Sequence, residues 1–296
     1  MIFIVVATFL VCWALGSRVT VPPTLIVFAE KYVINFALPA VIIAKMTTVE
    51  MSSDLLIPVF AAWGSMVGCA AAVYVVGRFR QWSRDTVGAL LLVAVLGNTS
   101  FLGLGMVGGL LGDDHLSAAI AYDQLGTFLA LAIYGSYISS RFGTGDSGGR
   151  AILQRLSRFG PFLALLTVVP LRMVGLHADV VAVLNDIGYT VAPVAMGALG
   201  LRFTLRVDRS VIAPAVTGLI IKMVAVPAVL FLVALFFAST GDVMWSTSIL
   251  ESAAPPMVTA GVVAIASGFN EKLVAFVVGV GTLEAFAWLP MVSLFL

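Results

Sequence analysis

The sequence predicts an all-α membrane protein: ten transmembrane helices in two inverted repeats of five, with the fourth and ninth helices broken and crossing. Composition is the first observation behind this. Of 296 residues 61% are hydrophobic and only 10% charged, and mean hydropathy is +1.11, far outside the range of soluble domains. Long apolar runs without strand-like alternation mean helices rather than a barrel. The second observation is a lopsided distribution of Arg and Lys between loops. The third is a pair of polar, helix-breaking tracts at matching places in the two halves.

Charged residues and Gly/Pro punctuation divide the apolar runs into spans near 2–16, 22–45, 54–77, 87–111, 115–138, 156–175, 178–202, 210–238, 244–268 and 272–295. The run Met1 to Leu15 resembles a signal peptide in length. It lacks a basic leader and a small-residue cleavage site, so it reads as a short first helix. The polar stretch from Ser139 to Arg158, with Gly143, Gly145, Gly148 and Gly149, separates five spans from five. The expected organisation is a first repeat over 1–138, a cytoplasmic linker over 139–155 and a second repeat over 156–296. Short matches relate the halves: Ala37-Leu38-Pro39-Ala40 with Val191-Ala192-Pro193-Val194, Gly112 with Gly268, and Leu125-Gly126-Thr127 with Val280-Gly281-Thr282. Repeats of five spans must insert with opposite orientations.

Charge bias sets the orientation. Alternate loops collect Arg18, Arg78, Arg80, Arg84, Arg141, Arg150, Arg155, Arg158, Arg202, Arg206, Arg209 and Lys272, whereas the opposite loops hold only Lys45 and Arg172. The basic loops are therefore cytoplasmic and both termini face out, in a multi-pass protein of the cell's inner (plasma) membrane. The opposite loops are acidic, with Glu50, Asp54, Asp113, Asp114, Asp179 and Asp242. A net charge of +1 gives no reason to expect a nucleic-acid partner, and Cys12 and Cys69, both in apolar runs, carry no disulfide information.

The polar tracts are Gly97-Asn98-Thr99-Ser100, followed by Gly103, Gly105 and Gly108, and Glu251-Ser252-Ala253-Ala254-Pro255-Pro256, followed by Thr259 and Gly261. Lipid cannot satisfy freed backbone groups, so such breaks survive at membrane depth only inside protein or beside a wet cavity. Paired broken segments point to the binding site of a secondary transporter, and the unwound segments are expected to centre on Asn98–Phe101 and Ala254–Met257. Each half-helix beyond a break presents free N–H groups and a positive dipole end to an anion. This places Asn98, Thr99, Ser100, Pro255, Pro256 and Thr259 at the substrate, with Lys222 in reach.

Seven ionisable residues lie inside spans: Glu30, Lys31, Asp123, Asp186, Lys222, Glu251 and Glu284. Each is costly unless it faces a cavity or a partner. Asp123 and Glu251 enter from the same side to similar depth, ~12 Å at the helical rise for Asp123. Two carboxylates with neutral oxygens from Asn98, Gln124 and Thr127 suit a hard cation or a shared proton. Glu251, Asp123, Gln124 and Thr127 are thus the expected ion-coupling residues, and Glu251, Asp123 and Asn98 the expected ligands of a bound sodium ion. No other cofactor is expected.

Gly97-Asn98-Thr99-Ser100-Phe101-Leu102-Gly103-Leu104-Gly105 resembles a glycine-asparagine tract of the auxin efflux carrier family. Phe36-Ala37-Leu38-Pro39-Ala40 and the basic residue five before a proline in Lys222-Met223-Val224-Ala225-Val226-Pro227 are similar to other signatures of that family. So is Pro256 with the alanine-rich run ending in Gly268-Phe269-Asn270. The resemblance spans essentially the whole chain. It implies the fold of the bile acid sodium symporters, with substrate beside the crossing of spans four and nine and one bundle moving against the other. Gly105 departs from the family's usual proline, and the family's polar side chain beside the span-nine proline is missing, with Met257 and Thr259 nearby instead. Glu251 is not a usual family residue, but an acid before the crossing is similar to the symporters' sodium ligand.

The expected function is secondary active transport of a small organic anion, a carboxylate of auxin-like or dicarboxylate type, by alternating access and with sodium coupling. Proton-coupled or uncoupled efflux is the alternative, and a channel or sensor a more distant one. The expected partners are the anion and the bilayer, with a second copy of the chain in a homodimer as a further candidate. An enzyme is not expected, because Tyr122-Asp123 lacks a second aspartyl-protease motif and both His115 and His177 fall in loops.

Overall fold

With no water to satisfy its backbone, an apolar chain at membrane depth must close its hydrogen bonds within each segment, and this one does so as helices. The computed structural model describes residues 2–19, 21–48, 53–143, 157, 160–202, 208–237, 239 and 241–296. Most of the expected linker, Arg150, Arg155, Arg158, Arg206 and Glu50 lie outside the described residues. The helices are α1 (Ile2–Gly16), α2 (Pro23–Tyr32), α3 (Leu38–Thr48), α4 (Leu56–Phe79), α5 (Arg84–Val93), α6 (Leu104–Leu110), α7 (Leu116–Ala121) and α8 (Ser136–Phe142). They continue as α9 (Gly160–Val174), α10 (Ala178–Tyr189), α11 (Val191–Arg202), α12 (Arg209–Leu219), α13 (Val226–Phe237), α14 (Val243–Ser252), α15 (Val258–Ala266) and α16 (Glu271–Ser293). Among the described residues there is no strand, only one isolated antiparallel bridge between Gly97 and Pro256.

Among the described residues, four stretches are long and apolar enough to cross a membrane: Ser53–Phe79, Leu116–Phe142, Arg209–Phe237 and Glu271–Ser293. Shorter apolar helices run over Ala7–Gly16, Asn35–Ala44 and Thr99–Leu110. Several long helices loosen into π-turns rather than running on as α. These cover Val33–Ala37, Thr99–Gly103, Tyr122–Phe128, Leu131–Gly135 and Ile220–Ala225. A π-turn inserts one residue and frees carbonyls, and such turns recur at functional sites.

The chain forms two compact units, Met1–Met51 with Ser147–Thr204, and Ser52–Asp146 with Leu205–Leu296. Each unit draws on both halves of the sequence. In the first, α1 meets α11 backbone to backbone. A Cβ on Gly200 would lie 2.5 Å from the Phe9 carbonyl oxygen and one on Gly16 2.9 Å from that of Leu201. Close approach through small residues is the usual helix contact in lipid. Tyr32 and Thr190 share a hydroxyl hydrogen bond of 2.8 Å.

The second unit holds the broken helices. The half-helices α6 and α15, which follow the breaks, each end before a glycine in left-handed backbone, Gly112 at φ 107° and Gly268 at φ 81°. A helix stopped this way has its last carbonyls capped without a Cβ penalty. Beside Gly268, Asp85 accepts the Asn270 amide at 3.0 Å. Asp208 caps α12; the Ser210 N–H and hydroxyl hold its carboxyl below the usual aspartate range, with help from Lys272.

Candidate functional site

Both breaks expected from sequence are present, and they meet. After α14 ends at Ser252 the chain is non-helical over 253–257, coincident with the expected Ala254–Met257. The first break lies earlier than expected. The chain leaves α5 at Val93 and is non-helical over 94–98, whereas the expectation centred on Asn98–Phe101. The reason is that the Leu102 and Gly103 amides both reach back to the Asn98 carbonyl, at 3.3 and 3.0 Å. Thr99–Gly103 therefore rewinds as a π-turn. The two extended stretches pair antiparallel: Asn98 N–H donates to the Pro255 carbonyl at 2.6 Å and Met257 N–H to that of Leu96 at 2.9 Å.

Several of the carbonyls freed by the breaks have partners. Cys69 Sγ donates to the Ala94 carbonyl at 3.2 Å. Lys222 Nζ donates to the Ser252 carbonyl at 2.7 Å. Tyr134 Oη donates to the Leu91 carbonyl at 2.8 Å, one turn before the first break. The unwound backbone is thus buried in protein and paired in part by it, which is how a broken helix survives at membrane depth.

Asp123 is fully buried on the π-turn Tyr122–Phe128. Its Oδ1 accepts the Thr99 hydroxyl at 2.5 Å and the Ser100 hydroxyl at 2.6 Å, and its Oδ2 the Gln124 amide at 2.5 Å. The carboxylate thus anchors the start of the half-helix beyond the first break. Glu251, on the last turn of α14, is equally buried, yet neither carboxyl oxygen has a hydrogen-bond partner among the described residues. It faces Gly103, where an added Cβ would stand 2.1 Å from Glu251 Oε2. Asp123 and Lys222 are the charged groups in electrostatic reach of it.

Asn98 is buried with both amide atoms unpartnered, and Gln124 Oε1 likewise. Buried polar atoms are normally paired, so oxygens and an amide waiting for donors and acceptors mark a place for a ligand. Thr127 shares the π-turn with Asp123, and Thr259 lies in the first turn of α15; both are buried. The amides that open α15 have no side-chain cap. Pro255 and Pro256 lie in the paired stretch, and Gly281 of α16 comes so close that its Cβ would stand 2.5 Å from Pro256 Cδ. Among the described residues no group of three or more His, Cys, Asp or Glu is placed to hold a metal. A cation here would rely on Glu251 and neutral oxygens.

The second unit therefore brings Asn98, Thr99, Ser100, Asp123, Gln124, Lys222, Glu251, Pro255 and Pro256 to one crossing. Of the other ionisable residues expected at depth, Glu284 and Asp186 are exposed. Sequence reasoning named Gly103 only as part of the first break and gave Cys69 no role. Gly103 does carry a signal, since a glycine beside a buried acid leaves room for its carboxyl. Gly103→Ala is expected to destabilise the protein by about 1–3 kcal/mol through overpacking. Adding Glu251→Ala should recover most of that loss in a double-mutant cycle of thermal unfolding. Equal costs in the presence and absence of Glu251 would show that the two do not touch.

The chain is similar to known membrane transport proteins. A family model described as "Membrane transport protein" matches residues 1–147 and 152–293. An uncharacterized transporter of Methanothermobacter thermautotrophicus is 29% identical over 274 residues, 90% of this chain and 88% of the relative. An uncharacterized transporter of Methanocaldococcus jannaschii is 28% identical over 213 residues, 68% of each chain.

Proposed function

The chain belongs to the auxin efflux carrier-like family of membrane transport proteins, and from that premise we propose that it is a secondary active transporter of a small organic anion, working by alternating access. In this reading it has ten spans in two inverted repeats, lies in the inner (plasma) membrane with both termini outside, and couples transport to sodium. The observation that carries the reading is the antiparallel pairing of two unwound segments beside the unpartnered Asn98 amide. The half-helices opening at Thr99 and Val258 offer N–H groups and positive dipole ends to a carboxylate. Asn98, Thr99, Ser100, Pro255, Pro256 and Thr259 line the anion site. Glu251, with no donor of its own, and the Asn98 and Gln124 oxygens hold the ion, while Asp123 and Thr127 support it.

Asn98→Ala tests the anion site. The pure parent protein is expected to gain thermal stability with one class of small mono- or dicarboxylate in sodium buffer, as any ligand that binds only the folded state provides. Asn98→Ala should melt at nearly the same temperature without ligand and bind the same acid more weakly by about 1–3 kcal/mol. Equal binding by both proteins would place the site elsewhere.

A further inference from the structure

A buried ammonium on a main-chain carbonyl is an unusual way to end a helix. The last carbonyls of α14 are otherwise taken by amides: Ala253 N–H serves Ile249 and Leu250, and Ala254 N–H serves Glu251. The next carbonyl, of Ser252, receives Lys222 Nζ at 2.7 Å instead. Lys222 comes from another helix, on the π-turn Ile220–Ala225, and is 3% exposed. The same Nζ stands 3.1 Å from where a Cβ of Gly97 would be, so the missing side chain at the first break lets the ammonium in. The Cys69 thiol and the Glu251 carboxyl are the other groups in its electrostatic surroundings.

This is where two half-helices end, α5 on one side and α14 on the other. The C-terminal end of a half-helix is the negative end of its dipole, and in broken-helix transporters such ends and their unwound carbonyls coordinate the coupling cation. Here a tethered ammonium already sits there. An ammonium is a compact cation with three donors.

We propose that Lys222 is a built-in cation: its ammonium permanently fills a cation position at the crossing, so that the carrier takes up no more than one free cation, at Glu251. The inference rests on the transporter reading for the meaning of that second position, but its test does not need a known substrate. Lys222 is then a positioning residue for the crossing rather than a contact to the transported anion.

The experiment counts sodium ions bound per chain, with radioactive sodium alone as the probe, on the purified full-length protein. Lys222→Ala and Lys222→Gln are each expected to bind one more sodium per chain than the parent, and Lys222→Arg no more. The thermal stability that Lys222→Ala loses should return with sodium or methylammonium chloride but not with choline chloride, whereas the parent should show no methylammonium response. The count for the parent tests sodium coupling at Glu251. The difference between variant and parent tests the present inference, and the two can fail separately. Folded neutral variants that bind no more sodium than the parent would overturn it. Should Lys222→Ala survive purification only in sodium chloride, that is the expected result read as stability. Failure in both salts would assign Lys222 a purely structural role.

Discussion

Asp123→Ala is expected to unfold or nearly unfold the second unit, while Asp123→Asn folds. The alanine leaves three donors, the buried Thr99 hydroxyl and Gln124 amide and the part-buried Ser100 hydroxyl, without their acceptor. Stranding each costs about 1–3 kcal/mol, and breaking up a buried charged cluster costs about 3–5 kcal/mol. That is a large part of the stability of any domain. Asparagine keeps the shape. Its carbonyl oxygen can accept Thr99 and Ser100, and its amide can donate to Gln124 Oε1, which has no partner now, once the Gln124 amide turns over. Which way an amide points follows from its hydrogen bonds, so the swap is inexpensive. Thermal unfolding in detergent checks both variants. Two variants of similar stability would show that the carboxylate does not hold the start of the half-helix.

This contrast bears on ion coupling. A carboxylate whose oxygens already accept three donors has little capacity left for a mobile ion. Glu251, with none, has all of its own. Of the two acids at similar depth in the sequence, the structure thus separates one that anchors the broken helix from one that is free to bind.

The breaks themselves were legible because glycine, proline and small polar residues clustered in an apolar run interrupt a helix at a depth where the freed backbone must be buried. Pro255-Pro256 located the second break to the residue, since two missing N–H groups leave a helix no choice. Gly97-Asn98 permitted the first break without locating its end. Nothing in Thr99-Ser100-Phe101 distinguishes a π-turn from extended backbone, and the outcome turned on two amides finding the Asn98 carbonyl. The π-turns carrying Asp123 and Lys222 had no signature either, because i→i+5 bonding is decided by tertiary neighbours such as Trp63 Nε1 on the Leu125 carbonyl at 3.1 Å. Composition could place Lys222 deep in the membrane. Only the fold could supply Ser252 as its partner.

Glu251→Gln is expected to abolish any dependence of substrate binding on sodium while leaving the protein folded. Glutamine has nearly the volume of glutamate, so the close fit against Gly103 survives. No hydrogen-bond donor is stranded by the change, since none reaches Glu251. What goes is the charge. Each elementary charge moved across 100 mV is worth ~2.3 kcal/mol, so an anion driven inward against an inside-negative potential needs a cation to travel with it. If Glu251 holds that cation, the parent's affinity for the organic acid rises with sodium at fixed pH and falls in choline. The Glu251→Gln protein should bind with one affinity in both salts. A proton could use the same carboxyl, and a pH series at fixed sodium separates the two. Binding by the parent that follows pH and ignores sodium would make Glu251 a proton carrier. Binding that ignores both would leave uncoupled movement of the anion down its own gradient, which an inside-negative cell drives outward.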